Sequence, residues 1–344
     1  MSKREIRLSE LDAFRGLAAL SVVLFHYTTL YNERIGYDAK LPFYFPYGGY
    51  GVNLFFMISG FVIFLTLKRC RHHTDFIVSR FSRIYPSYWL AVIFTATVVN
   101  AYTLTSLHRT TSEIALNLTM LQGYTEVRHV DGVYWTLSYE LLFYTFMYLI
   151  YRFKFLNRIT SIIFIWLSLQ LASILIERYT GWFPWKITLF FILGYIHLFA
   201  AGILFLKLYE GEKNNSIYLL LLYCLLIQWV KGDNIESIFV SAFFVLFMFF
   251  VNGWVKFIAI RPLLFLGAIS YPLYLIHQNI GYVLINALQK NHLSAVSSMT
   301  ITLITILLAS TVITYYIEKP SMKYLRIRLH NLLNKETTGA KEQG

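Results

Sequence analysis

Two cysteines in a chain of 344 residues are too few for a disulfide framework, and Cys70, in a basic loop, and Cys224, in a hydrophobic stretch, make no metal-ligand spacing. His72 and His73 are adjacent on a loop, a poor geometry for two ligands of one metal, so no metal is expected. Charge is scarce as well. Charged residues make up 14% of the chain against 57% hydrophobic, a balance that excludes an ordinary soluble domain. Acids are the scarcer sign, 18 against 30 Lys and Arg, leaving a formal charge of +12. A cleavable signal peptide is not expected, because the first hydrophobic stretch carries Arg15 and lacks a small-residue cleavage site. Nor is any repeat strong enough to suggest an inverted-repeat transporter, or any appended soluble domain.

What the chain has in abundance is long apolar runs and aromatic rings, with 29 Phe and 26 Tyr, as expected of a polytopic membrane protein with rings at both interfaces. Runs long enough to cross a bilayer fall near 11–30, 48–67, 84–102, 135–151, 159–176, 187–206, 216–230, 236–252, 263–287 and 294–317. Pro86 and Pro272 interrupt the third and the ninth. The expected fold is therefore all-α, a transmembrane bundle of about ten helices over 1–330, followed by a short disordered tail at 331–344.

The basic residues set an orientation. With the N-terminus inside, the external loops hold 8 of them (Arg34, Lys40, Arg109, Arg128, Arg178, Lys186, Lys231 and Lys290) and the internal segments hold 21. Arg15 lies within the membrane. This asymmetry predicts that both termini are cytoplasmic. It also makes the surplus positive charge a topology signal and not a nucleic-acid patch.

Against this apolar background a few polar residues stand out. Arg15 and His26 are eleven positions apart, about three helical turns plus 20°, so they share nearly one face of the first helix. His26 and Asn53 are expected roughly 6 to 8 Å inside the external boundary, as is Glu140 on the fourth run, which suggests one site opening outward. Ionisable groups at such depth are costly and usually face a protein interior or a substrate path. Bland readings exist for each. Glu140 could be a buried carboxyl satisfied by hydroxyls, and His26 a histidine hydrogen-bonded within a bundle. Arg15 could snorkel to the interface or pair with Asp12. Arg80 and Arg83, at i and i+3 on an inner segment, suit bidentate phosphate binding but equally a positive-inside lipid anchor. His277, one turn from Tyr274, is either packed polar core or site lining, and His197 reads as structural.

These residues fall in segments that together resemble the acyltransferase-3 family of integral membrane O-acyltransferases. The segments are Leu11-Asp12-Ala13-Phe14-Arg15-Gly16 through His26, Gly51-Val52-Asn53-Leu54-Phe55-Phe56-Met57-Ile58-Ser59-Gly60-Phe61, Arg80-Phe81-Ser82-Arg83-Ile84-Tyr85-Pro86 and Trp135-Thr136-Leu137-Ser138-Tyr139-Glu140. Ile269 through His277 and Ile317-Glu318-Lys319-Pro320 complete them. The resemblance implies transfer of an acyl group, commonly acetyl, from cytoplasmic acyl-CoA to a hydroxyl of an extracytoplasmic saccharide or lipid-linked glycan. O-antigen, capsule and exopolysaccharide are the expected acceptors, and the bacterial inner membrane the expected location. No permanently bound cofactor is implied; acetyl-CoA is the donor substrate.

Carried over residue by residue, Arg80 and Arg83 would hold the phosphates of CoA, and Arg15 would meet its pantetheine or thioester. His26 would be the general base, and Glu140 would orient it and stabilise the imidazolium. Asn53, Tyr134, Trp135, Ser138 and His277 are expected to line the acceptor side. Two other readings remain at this stage. One is a transporter or flippase for a small anion or glycolipid, using Arg15, His26 and Glu140 as a relay. The other is a non-catalytic assembly protein that keeps the fold. Oligomeric state is left open.

Overall fold

The computed structural model describes residues 8–102 and 104–339, and no β-strand occurs among them. Lys3, Arg4, Arg7 and Lys341 of the charge asymmetry therefore lie outside the described residues, as does the end of the expected tail. In chain order the helices are α1 (Ser9–Leu24), α2 (Gly51–Arg69), α3 (His73–Ala101), α4 (Thr111–Asn117), α5 (Trp135–Arg152) and α6 (Ile159–Thr180). Then come α7 (Trp185–Phe190), α8 (Ile196–Tyr209), α9 (Asn215–Lys231), α10 (Asn234–Val251), α11 (Arg261–Ile276) and α12 (Gln278–Lys290). The last two are α13 (Ala295–Val312) and α14 (Lys319–Gly339). A π-helical turn, Phe25–Leu30, prolongs α1, and another, Ile313–Glu318, joins α13 to α14.

Six continuous helical runs are long and apolar enough to cross a membrane: Ser9–Arg34, Pro46–Arg69, His73–Ala101, Leu156–Thr180, Asn234–Val251 and Ala295–Leu329. Three of the remaining apolar helices, α8, α9 and α11, are shorter. The partition differs from the expected one in several places. Pro86 does not interrupt the third run, since α3 is continuous for 29 residues, about 43 Å at 1.5 Å per residue. The 187–206 stretch is two helices, because Ile192, fully buried between α7 and α8, adopts a left-handed φ of 52°. The 263–287 stretch divides at His277. Its Nδ1–H donates to the carbonyls of Leu273 (3.1 Å) and Tyr274 (2.9 Å), and α12 begins at the next residue.

The described residues form two compact units, one of 8–34, 43–64 and 157–270, the other of 35–42, 65–156 and 271–339. In the first unit the core is a phenylalanine cluster. Phe205 meets Phe247 at 5.1 Å and Phe61 meets Phe250 at 5.6 Å, while Phe14 lies 6.1 Å from both Phe247 and Phe250. Two helix crossings are so tight that only glycine fits. A Cβ on Gly60 would fall 2.0 Å from the Phe199 carbonyl oxygen, and one on Gly202 2.0 Å from that of Met57. Helices α2 and α8 therefore touch backbone to backbone, the small-residue packing that membranes favour because lipid offers no hydrophobic drive between helices. Gly16 and Gly267 do the same for α1 and α11.

In the second unit the long loop between α3 and α5 is ordered by buried polar contacts. Asn117 accepts from Val130 N at 2.9 Å and donates to the carbonyls of Glu113 and Arg128, while the Tyr88 hydroxyl donates to its backbone carbonyl at 2.7 Å. These backbone groups thus find partners that water would otherwise supply.

Candidate active site

His26 lies in the first unit, in the π-helical turn after α1, and is 8% exposed. Such turns widen a helix by one residue and recur at functional positions. Its Nδ1–H donates to the Val22 carbonyl at 2.8 Å. That bond selects the tautomer: in the neutral ring the lone pair, and hence the basicity, resides on Nε2. The Phe25 ring stands edge-on to the imidazole at 5.2 Å. Arg15, in α1 of the same unit, sits 3.9 Å from Asp12, the short-range pairing that the sequence offered.

Asn53, also in the first unit, does not stand alone. Its Nδ2 donates to Glu236 Oε1 at 2.9 Å, and the same carboxylate oxygen lies 3.9 Å from Lys231 Nζ. Asp233 caps α10 by accepting from Glu236 N at 2.8 Å and also receives the Tyr50 hydroxyl at 3.3 Å. Motif reading pointed to Asn53 but missed Glu236 and Asp233. The signal available was a pair of acids at the start of an apolar run.

The remaining expected residues belong to the second unit. Arg80 and Arg83 emerge from α3 one turn apart, but their surroundings differ. Arg83 pairs with Glu318, whose side chain is 1% exposed, and its guanidinium lies 5.9 Å from the Tyr271 ring. Tyr271 in turn donates to the Ile84 carbonyl at 3.0 Å. Arg80 donates from Nη2 to Ser79 Oγ at 3.0 Å and stands 6.0 Å from the Tyr144 ring, while its buried Nε–H has no hydrogen-bond partner among the described residues. A buried cationic donor left unmatched costs free energy that a phosphate oxygen would recover. Sequence spacing treated the two arginines as equivalent. Glu318, the acid at the end of the last apolar run, makes them unequal.

Glu140 accepts from Tyr144 Oη, one turn along α5, so Arg80, Tyr144 and Glu140 form one polar chain. Ser138 is 2% exposed. Its carbonyl accepts from Tyr124 Oη at 2.5 Å, and its buried Oγ has no hydrogen-bond partner among the described residues. Tyr134, fully buried, packs edge-to-face on Tyr88 at 5.2 Å, and Trp135 does likewise on Tyr139 at 5.8 Å. His277 is fully buried at the α11–α12 break, 5.8 Å from the Tyr274 ring, whose hydroxyl shares a 2.8 Å bond with Thr136.

The sequence reading singled out no role for Asp131, yet it ties this unit together. Its carboxylate accepts from Asn279 N at 2.9 Å and from Val133 N at 3.2 Å, capping α12 across 148 residues. Burial pushes this carboxyl up to about 7, although both backbone hydrogen bonds and Arg109 oppose the rise. A Cβ on the next residue, Gly132, would lie 2.4 Å from the Gln278 amide, which would have to move to admit it. Nearby, burial and the charge of Arg109 lower His129, while Glu113, bonded by Arg128, is held at about 2.

Apolar helices of spanning length, interrupted by a few ionisable side chains with defined partners, make this a multi-pass membrane protein. Residues 8–318 match the acyltransferase-3 family, described as an acyltransferase domain, and the chain belongs to that family. It is 26% identical over 283 residues, 76% of this chain and 80% of the relative, to a protein of Acidianus two-tailed virus named "Putative acetyltransferase ORF330". No solved structure matches the chain.

Proposed function

We propose that this acyltransferase moves an acetyl group from cytoplasmic acetyl-CoA to a hydroxyl of an extracytoplasmic cell-surface saccharide or lipid-linked glycan, with a bacterial inner membrane as its location. The observation that carries the reading is the tautomer of His26. Its Nδ1–H is committed to Val22, so Nε2 is the nitrogen able to take a proton from an acceptor hydroxyl. The hydroxyl oxygen attacks the thioester carbonyl, the C–S bond breaks, and CoA leaves as the thiol once the proton is returned to sulfur.

Arg80 is the group best suited to the CoA phosphates, since its Nε–H has no hydrogen-bond partner among the described residues. Arg83, paired with Glu318, holds the segment in place and adds positive potential. Arg15 is assigned to the pantetheine or thioester, and Glu140 to stabilising positive charge during the reaction. Asn53, Tyr134, Trp135, Ser138 and His277 are assigned to the acceptor side. The excess of basic residues in alternate loops, 21 against 8, supports cytoplasmic termini.

Sealed vesicles of defined orientation test the proposal. Radiolabelled acetyl-CoA supplied on the cytoplasmic face alone is expected to acetylate a glycan confined to the other face. Solute uptake without any loss of thioester would replace this reading with that of a transporter. Transfer only when both substrates share a compartment would remove the transmembrane route.

A further inference from the structure

The segment between α1 and α2 carries an unusual density of rings, Phe43, Tyr44, Phe45, Tyr47 and Tyr50, and Tyr47 is 46% exposed. Its position is fixed against the His26 turn from both sides. Ser21 Oγ donates to the Gly48 carbonyl at 2.7 Å, and Phe45 N donates to Thr28 Oγ1 at 3.0 Å. A Cβ on Gly49 would meet the Phe25 ring at 3.3 Å, and Phe25 is the ring that stands edge-on to the imidazole.

Three rings then meet at one place. Tyr47 and Tyr50 are nearly parallel, with centroids 6.3 Å apart and planes at 6°, and Phe239 of α10 lies 5.7 Å from the first and 5.4 Å from the second. Beside them is the exposed carboxylate of Asp233. It accepts from Tyr50 Oη and Glu236 N, two bonds to a group with about four acceptor positions, so it keeps capacity for further donors. Aromatic faces carry partial negative charge and attract the weakly positive C–H face of a pyranose. A carboxylate at the rim accepts from the sugar's equatorial hydroxyls, by charge-assisted bonds that water alone competes for. Rings that serve only as interfacial anchors need no such carboxylate.

We infer that Tyr47, Tyr50 and Phe239, with Asp233 at their edge, form a shelf that binds a pyranose ring of the acceptor beside the His26 turn. This rests on the acyl-transfer reading for its acceptor, but binding can be measured without transfer. The probe is the glycolipid and polysaccharide fraction extracted from cells of the source organism lacking the protein. Calorimetry on the full chain in lipid nanodiscs reads binding of that fraction, and labelled acetyl-CoA reads transfer.

Tyr47→Ala combined with Tyr50→Ala should weaken glycan binding and raise the acceptor KM by about tenfold. The KM for acetyl-CoA should stay unchanged, which also reports that the variant is folded. Tyr47→Phe should stay within about twofold of the unaltered protein, because the ring is retained, and Asp233→Asn should fall between. Should the double variant fail to fold, Tyr47→Ala alone, at an exposed position, is expected to cost about threefold in binding. Glycan binding within about twofold of normal in the folded ring-deleted protein overturns the shelf, as does loss of membrane insertion with normal binding. An unaltered protein that binds glycan through these rings but transfers nothing leaves the shelf standing and rejects the acyl-transfer reading. One that neither binds nor transfers rejects both.

Discussion

Each unit contains a chain of polar side chains, fully buried in the first and half-buried in the second, and the two are built from different groups. In the first, Gln170 Nε2 donates to His197 Nδ1 at 2.9 Å, and His197 Nε2 donates to Gln228 Oε1 at 2.8 Å. Both ring nitrogens are engaged by neutral amides and all three residues are fully buried, so the histidine ties α6, α8 and α9 together without carrying charge. The second unit instead runs Arg80, Tyr144 and Glu140, with Arg83 and Glu318 alongside. Charged groups are costlier to shield from water than neutral amides, and the Arg80 Nε–H has no hydrogen-bond partner among the described residues. The first chain is neutral throughout, whereas the second carries charge, which is costly away from water unless it is partnered.

The sharpest way to break that contrast is to delete one histidine of each kind. His26→Ala should lower acyl transfer by about 10² to 10⁴ while leaving thermal unfolding nearly unchanged, since a base is lost but little packing. His197→Ala should do the reverse, costing about 2 to 4 kcal/mol through a cavity and two orphaned amides. Transfer per folded molecule should then be retained. Parallel melting curves and rates decide it; an inactive but stable His197→Ala protein would move His197 into the chemistry.

The arginines give a second test, of somewhat smaller effect. Arg83→Ala leaves the Glu318 carboxylate buried without its cation. It should destabilise the protein by about 3 kcal/mol, the low end for a broken buried pair, because Arg83 is 31% exposed. Replacing Glu318 by Gln as well should recover part of that loss. Arg80→Ala should leave melting little changed and weaken acetyl-CoA binding by about tenfold or more, with Lys a partial rescue that lacks the planar fork. Equal binding losses at the two positions would show that the Glu318 pairing does not divide their roles.

A third test concerns the pH dependence of stability at Asp131. A carboxyl raised from 3.8 to about 7 binds more protons in the folded than in the unfolded chain between those values. Stability must therefore fall as pH rises from about 4 to about 7, and level off above. Asp131→Asn cannot titrate, so its melting temperature should lose that slope while keeping one acceptor for the Asn279 and Val133 amides. A slope that survives the substitution assigns the pH dependence to other groups.

Much of this was legible before any coordinates. Long apolar runs announce membrane helices because a bilayer demands about twenty residues of hydrocarbon, and buried ionisable residues announce themselves by being out of place. Arg15, His26, Asn53, Arg80, Arg83 and Glu140 were all found that way or by motif. Helix breaks were harder to read. Pro86 proved harmless within α3, whereas Ile192, a residue with no breaking reputation, ends α7 in a left-handed turn. The cause is tertiary in both cases, since propensity weighs one residue against its neighbours in sequence and packing can override it.

The sequence by itself determined that the chain is helical and membrane-spanning and that it belongs with acyltransferases. Those conclusions follow from composition, spacing and motif order, quantities a linear chain carries whole. Only the tertiary structure decided the partners: Val22 choosing the tautomer of His26, Glu318 claiming Arg83 and sparing Arg80, and Asp131 capping a helix 148 residues away. A hydrogen bond depends on distances of about 3 Å between groups the chain may separate by hundreds of residues, and no local pattern encodes that.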